Sequence, residues 1–385
     1  MSLKRGQRLN GRYIIETTLS DERSQFSITY LAKDEQSEQL VVIKTPKPGI
    51  KLKSRFLDRE VAILKKISNE NEHIVSFLDD FIVNNEPYLV MKYIEGITLE
   101  NYVQQTQHLL PENEALEYIS QIGEALKKLH NKEPCVVHRD VKPSNIMLQQ
   151  QQTLPLENTQ LKYKAILIDF GIAGQIDLIG NNATISGSRN YAPYEQTHGV
   201  DCPYRETYID RCLFNNNIHQ NDLNIYKCFK EPKLTKCRIA THLQPTLDIY
   251  ALAATLYYVL TRREPLDSGS RRENDTLSRE ILREIFAYSF DNSDTVKARL
   301  YMAIYRGMEI EKIYRCQTIE KWLIMLSPHF KSNIWRFLLT ISLKKYIKKI
   351  FNKIKSLKES LEFILKIIQI IPNQFITFLT KLIKK

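Results

Sequence analysis

The run His138-Arg139-Asp140-Val141-Lys142-Pro143-Ser144-Asn145, followed by Asp169-Phe170-Gly171, brings together side chains that could transfer a phosphoryl group. Asp140 would accept the proton of an attacking hydroxyl. Lys142 would neutralise charge on the transferring group. Asn145 and Asp169 would hold Mg²⁺ ions that bridge the phosphates of a nucleotide. Eight residues in this order rarely arise by chance, so the rest of the chain is read for the elements that would position them.

Leu40-Val41-Val42-Ile43-Lys44 is a β-branched run and predicts a strand. A lysine at the end of a buried strand is costly unless paired. In the next segment, Ser54 to Ser68, a helical period puts Leu57, Leu64 and Ile67 on one face, with Glu60 three residues after Leu57 on that face. Taken alone, Lys44 and Glu60 are ordinary surface charges. Pro111 to His130 has acidic residues in its first turn and an apolar stripe at Ile119, Ile122, Leu126 and Leu129, the pattern of an amphipathic helix that delivers the chain to His138. From Leu247 to Leu260 the sequence is apolar nearly all round, which predicts a core helix.

Together these residues resemble the eukaryotic-type (Hanks-type) serine/threonine protein kinases, bacterial members in particular, over about residues 10–330. Lys142, two positions after Asp140, is the serine/threonine form of the loop. The resemblance implies an α+β, two-lobed protein kinase fold: a small β-rich lobe over about 10–92 and a larger helical lobe over about 96–330. It implies ATP with Mg²⁺ (Mn²⁺ as the alternative ion), protein substrates and autophosphorylation. Lys44 would hold the α/β-phosphates and Glu60 would hold Lys44. Pro87 to Gly96 would be the strand and hinge between lobes, with Met91 beside the adenine pocket and backbone groups of Lys92, Tyr93 and Ile94 on the purine edge. Asp248 would brace the catalytic-loop backbone, and Arg315 would pair with Glu195, a structural contact. Arg139 would receive a phosphate from the activation segment, where Thr184 and Ser186 are the candidate acceptors. Ser188 stands where the family has a threonine that contacts the catalytic loop.

The chain departs from the pattern in three places. The phosphate-covering loop, Leu19 to Ser27, contains no glycine and carries Asp21 and Glu22 where negative charge repels ATP. This is the argument for the alternative reading, a pseudokinase acting as a binding or scaffold protein. Against it stands the complete set Lys44, Glu60, Asp140, Lys142, Asn145 and Asp169. A glutamine-rich stretch from Gln149 to Gln160 is expected as a polar loop between two strands. An insertion over about 198–243 holds Cys202, Cys212, Cys228 and Cys237. Their spacing lacks the close pairs of a zinc site, so reduced thiols are the default. The place of the insertion suggests a role in substrate choice.

The net charge of +11 is local. Residues 331–385 hold thirteen Lys and Arg against two Asp and Glu, leaving 42 of each sign elsewhere. Basic charge confined to a tail, without aromatics interleaved in a readable nucleic-acid-binding motif, is weak evidence for nucleic acid. In this tail Leu343, Ile347, Ile350, Ile354, Leu357, Leu361, Ile364, Ile368 and Ile371 repeat at steps of four and three. Three readings stay open for 343–371: a homodimer seam, a basic amphipathic helix on an anionic membrane surface, and extra core for the kinase lobe. One-signed charge favours the membrane surface. Met1 to Ser20 is polar and lacks the apolar centre of a secretion signal, so a cytoplasmic catalytic domain is expected, peripheral at the inner face of the membrane if the tail binds there.

Overall fold

The computed structural model describes residues 3–19, 27–47, 53–67, 70–151, 163–175, 188–197, 244–290 and 295–327. The segment 20–26 of the phosphate-covering loop, Thr184, Ser186, the cysteine-bearing insertion and the tail lie outside the described residues.

Six strands form an antiparallel sheet: β1 (Arg8–Leu9), β2 (Tyr13–Thr18), β3 (Ser27–Asp34), β4 (Leu40–Pro46), β5 (Phe77–Val83) and β6 (Glu86–Lys92), in the spatial order β1-β2-β3-β4-β6-β5. Alternation decides which side chains enter its core. Tyr30 and Ala32 of β3, Val41 and Ile43 of β4, and Tyr88 and Val90 of β6 point to one face and are buried there with Leu9, Tyr13 and Ile15. Lys44, one position after Ile43, therefore points to the opposite face, where helix α1 (Lys53–Ile67) lies against β4, β5 and β6. On α1, Leu57, Glu60, Ile63, Leu64 and Ile67 are all buried, the spacing of a single helical stripe.

The chain then passes through a short strand, β7 (Gly96–Thr98), into a helical lobe. α2 (Leu99–Gln105) is capped by the Thr98 hydroxyl, and α3 (Glu112–His130) buries Ile119, Ile122, Leu126 and Leu129. β8 (Val136–Val137), β9 (Ile146–Gln150), β10 (Tyr163–Leu167) and β11 (Gly174–Gln175) frame the two runs that begin at His138 and Asp169. β9 pairs antiparallel with β10, with Gln150 opposite Tyr163. The glutamine-rich connection thus starts later than its composition suggests, because Gln149 and Gln150 extend the strand.

Beyond α4 (Tyr194–Thr197), α5 (Pro245–Thr261) is the centre of the lobe: every residue from Thr246 to Leu260 is buried. α6 (Ser268–Glu273), α7 (Thr276–Phe290), α8 (Thr295–Gly307) and α9 (Ile319–Leu326) complete the described elements. The architecture is the two-lobed protein kinase fold. Among the described residues no helix is long and apolar enough to cross a membrane.

Candidate active site

Lys44 joins the lobes. Its ammonium donates to Glu60 Oε1 at 2.8 Å and to Asp169 Oδ1 at 2.7 Å. Glu60 Oε1 also accepts the N–H of Phe170 at 3.1 Å, so one carboxylate ties α1 to both the strand lysine and the Asp169 segment. Burial alone lowers the Lys44 ammonium, but Asp169 and Glu60 outweigh it and hold it above the ordinary lysine value. Burial pushes Glu60 up. It pushes Asp169 the same way, yet the adjacent Lys44 charge prevails and keeps that carboxyl well below the usual carboxylate range. Asp169 adopts φ 62°, a left-handed conformation uncommon outside glycine, and its side chain keeps 45% of its surface exposed. Gly171 lies beside this cluster. A Cβ there would sit 3.2 Å from Asp169 Oδ1 and 3.4 Å from Lys44 Nζ.

The second cluster is built on the loop after β8. Asp140 Oδ2 accepts from Lys142 Nζ at 2.9 Å and from Asn145 Nδ2 at 3.0 Å, and the Ser188 hydroxyl donates to Asp140 Oδ1 at 2.9 Å. Lys142 Nζ also donates to Ser188 Oγ at 2.7 Å. Asp140 is thus an acceptor held from three sides, with Lys142 beside it. The Asn145 amide nitrogen is committed to Asp140, which turns its Oδ1 away from that contact. Asn145 Oδ1 and the exposed part of Asp169 supply hard oxygen donors that suit Mg²⁺, an ion that takes few protein ligands and completes its shell with phosphate and water.

Backbone bracing explains how this loop holds its shape. Asp248, near the start of α5, accepts the N–H of His138 at 2.8 Å and of Arg139 at 2.7 Å, and His130 Nε2 lies 2.8 Å from its Oδ2. Burial raises this carboxyl, but His130, the nearby His138 ring and the Arg139 N–H bring it below its usual value. The Gln196 amide donates to Arg139 O at 2.6 Å, and Arg139 itself sits at φ 71°. The His138 ring meets Phe170 edge-on at 4.6 Å, so the two motifs touch through their rings. Burial, then the nearby Arg59, lower the Arg139 guanidinium to about 10. Arg315 donates to Glu195 Oε1 at 2.6 Å, with both side chains almost fully buried.

The structure brings Lys44, Glu60 and Asp169 together, and separately Asp140, Lys142, Asn145 and Ser188. Leu19 and Ser27 flank the phosphate-covering loop: Leu19 N–H donates to Thr29 O, and Ser27 opens β3 opposite Pro46. Met91 is buried near the end of β6, and Tyr93 and Ile94 follow that strand. The Lys92 N–H donates to Ser76 O at 3.0 Å, which leaves its C=O as the backbone group of this residue that could meet a purine. Sequence reasoning passed over His130 and Gln196. A histidine closing an amphipathic helix and a glutamine after Glu195 carry no periodic signal, and their partners lie 118 and 57 residues away.

Comparison with known proteins agrees with this geometry. The family described as "Protein kinase domain" matches residues 23–209. Serine/threonine-protein kinase D of Synechocystis is 28% identical over 269 residues, covering 66% of this chain and 41% of that protein. Serine/threonine-protein kinase nekl-2 of Caenorhabditis elegans is 33% identical over 302 residues, covering 67% of this chain and 81% of that protein. PpkA-294 in its apo form superposes with a TM-score of 0.54 at 21% identity, over 85% of this chain and 99% of that one. The PknI kinase domain of Mycobacterium tuberculosis, in a single-site mutant form, gives 0.51 at 18% identity, over 85% and 98%. These two structures support the fold, and the sequence relatives support the family. The chain belongs to the Hanks-type serine/threonine protein kinases, a family with bacterial members among its relatives.

Proposed function

We propose that this chain transfers the γ-phosphoryl group of ATP, with Mg²⁺, to serine or threonine of protein substrates and of itself. The observation that carries the reading is the position of Lys44 between Glu60 and Asp169, with Asp140, Lys142 and Asn145 assembled on the neighbouring loop. Lys44 is fixed to meet phosphate oxygens, and Asp169 with Asn145 would hold the metal ion. Once held there, such an ion would supply positive charge against the charge developing on the phosphates. Asp140 orients the acceptor hydroxyl and takes its proton. Lys142, which touches both Asp140 and Ser188, balances charge on the moving group. Arg139, buried and disfavoured as a cation, gains from a phosphate placed beside it, which supports autophosphorylation at Thr184 or Ser186. A pseudokinase is favoured only by the glycine-less loop. The basic tail is assigned to an anionic surface on its charge alone.

The test is incorporation of labelled γ-phosphate into the chain and a generic protein acceptor, followed by phosphoamino-acid analysis. Label on serine or threonine, abolished by a chelator and by Asp169→Asn, is expected. A folded protein that binds ATP and transfers nothing would establish the pseudokinase.

A further inference from the structure

The segment after Ser188 reaches the catalytic aspartate directly, since Ser188 N–H points at Asp140 Oδ1 at 3.3 Å while its hydroxyl bonds the same atom. The next residue is Arg189. Its side chain is 82% exposed and meets Asp267 at 3.9 Å, the outer limit of an ion pair. Asp267 is the N-cap of α6: its Oδ1 accepts Gly269 N–H and Ser270 N–H, and its Oδ2 accepts the Ser270 hydroxyl at 2.7 Å. That carboxylate is already committed, so it holds Arg189 weakly.

A second guanidinium also meets this segment. Arg272, on α6, lies over the ring of Tyr194 at 4.3 Å, a stacked position that pre-orients its planar fork while leaving the residue exposed. α6 has only six residues, about 9 Å of helix, so Arg272 and the Asp267 cap that Arg189 touches are close neighbours. Glu264, another acidic group at the 188–197 segment, accepts from Asn190 Nδ2 at 3.3 Å. Two exposed guanidinium groups therefore belong to or contact the segment that meets the catalytic aspartate, while Asp267 and Glu264 bond the protein's own donors.

We propose that Arg189 and Arg272 select acidic protein substrates, by pairing with carboxylate side chains next to the phosphoacceptor. This rests on the kinase reading above and names its substrate class. Arg189 is weakly held and Arg272 already oriented, so each can donate bidentately to a carboxylate at low cost.

The experiment measures kcat/KM for three peptides that differ only in the residues flanking one serine, glutamate, alanine or lysine on both sides, with the full chain as enzyme. The glutamate peptide should exceed the alanine peptide roughly fivefold, and the lysine peptide should fall below both. Arg189→Glu and, separately, Arg272→Glu should shift the glutamate-to-lysine ratio toward lysine. A gain for the lysine peptide is a readout that mere loss of folding cannot give. Equal use of the three peptides, or a glutamate preference unchanged in both variants, would overturn the proposal and leave the kinase reading intact. Absence of transfer to every peptide and to the chain itself would overturn both.

Discussion

Lys44 shows how much chemistry depends on one side chain's position in a strand. It is buried to 6% exposure, and its charge is tolerable because two carboxylates share it. Lys44→Met leaves Glu60 and Asp169 facing each other without a cation. At least a hundredfold loss of kcat, on the order of what one preorganised charge supplies, is expected in steady-state kinetics, with ATP binding weakened less. Gly171→Ala tests the same cluster more gently. A Cβ at 3.2 Å from Asp169 Oδ1 forces a shift of a few tenths of an ångström, and roughly a tenfold drop in kcat with a small change in Tm is predicted. His138 gives a pH signature. It is buried, Asp140 N–H points at its Nδ1, and its Nε2 faces Ile168 O, an arrangement that suits the neutral ring. Burial lowers its pKa, so the unfolded chain takes up the proton first as pH falls below about 6.5. The stability this provides is complete above that value and is lost as pH falls toward the folded-state pKa. Thermal melts between about pH 7 and 5 should show a smaller decline for His138→Phe than for the parent; equal declines would contradict the assignment.

At the scale of elements, two buried carboxylates fasten the helical lobe. Asp248 on α5 takes two loop N–H groups, and truncation to alanine leaves them unsatisfied. Asp248→Ala should cost about 3 kcal/mol in denaturant unfolding, at roughly 1–3 kcal/mol per orphaned group. Arg315→Ala strands Glu195 in the interior, and a loss of about 3–5 kcal/mol is the usual order for such a break. The elements themselves were legible. Strand alternation at Ile43-Lys44 and the helical stripe through Glu60 are local patterns, and the all-apolar run to Leu260 could only be core. What could not be read was tertiary. The Ser188 contact with Lys142, 46 residues away, is expected only from the family resemblance, and the Gln196 amide on Arg139 O, 57 residues away, from nothing in the sequence. No periodicity encodes which polar side chain will meet a distant backbone oxygen.

For the whole molecule, a complete set of charged site residues shares a chain with a phosphate-covering segment, Leu19 to Ser27, that contains no glycine. Side chains keep the backbone of such a loop from approaching phosphate closely, so binding suffers before chemistry does. The molecule also divides its charge unevenly: residues before 331 are balanced, and the excess of eleven lies beyond. Whether the charged site transfers phosphate despite that loop is decided by single-turnover kinetics with ATP–Mg²⁺, comparing the parent chain with Asp140→Asn at saturating nucleotide. The parent should transfer the γ-phosphate, the variant should be slower by about a thousandfold or more, and both should bind ATP equally well. Equal rates in the two proteins, or none in a parent chain saturated with ATP, would contradict this reading.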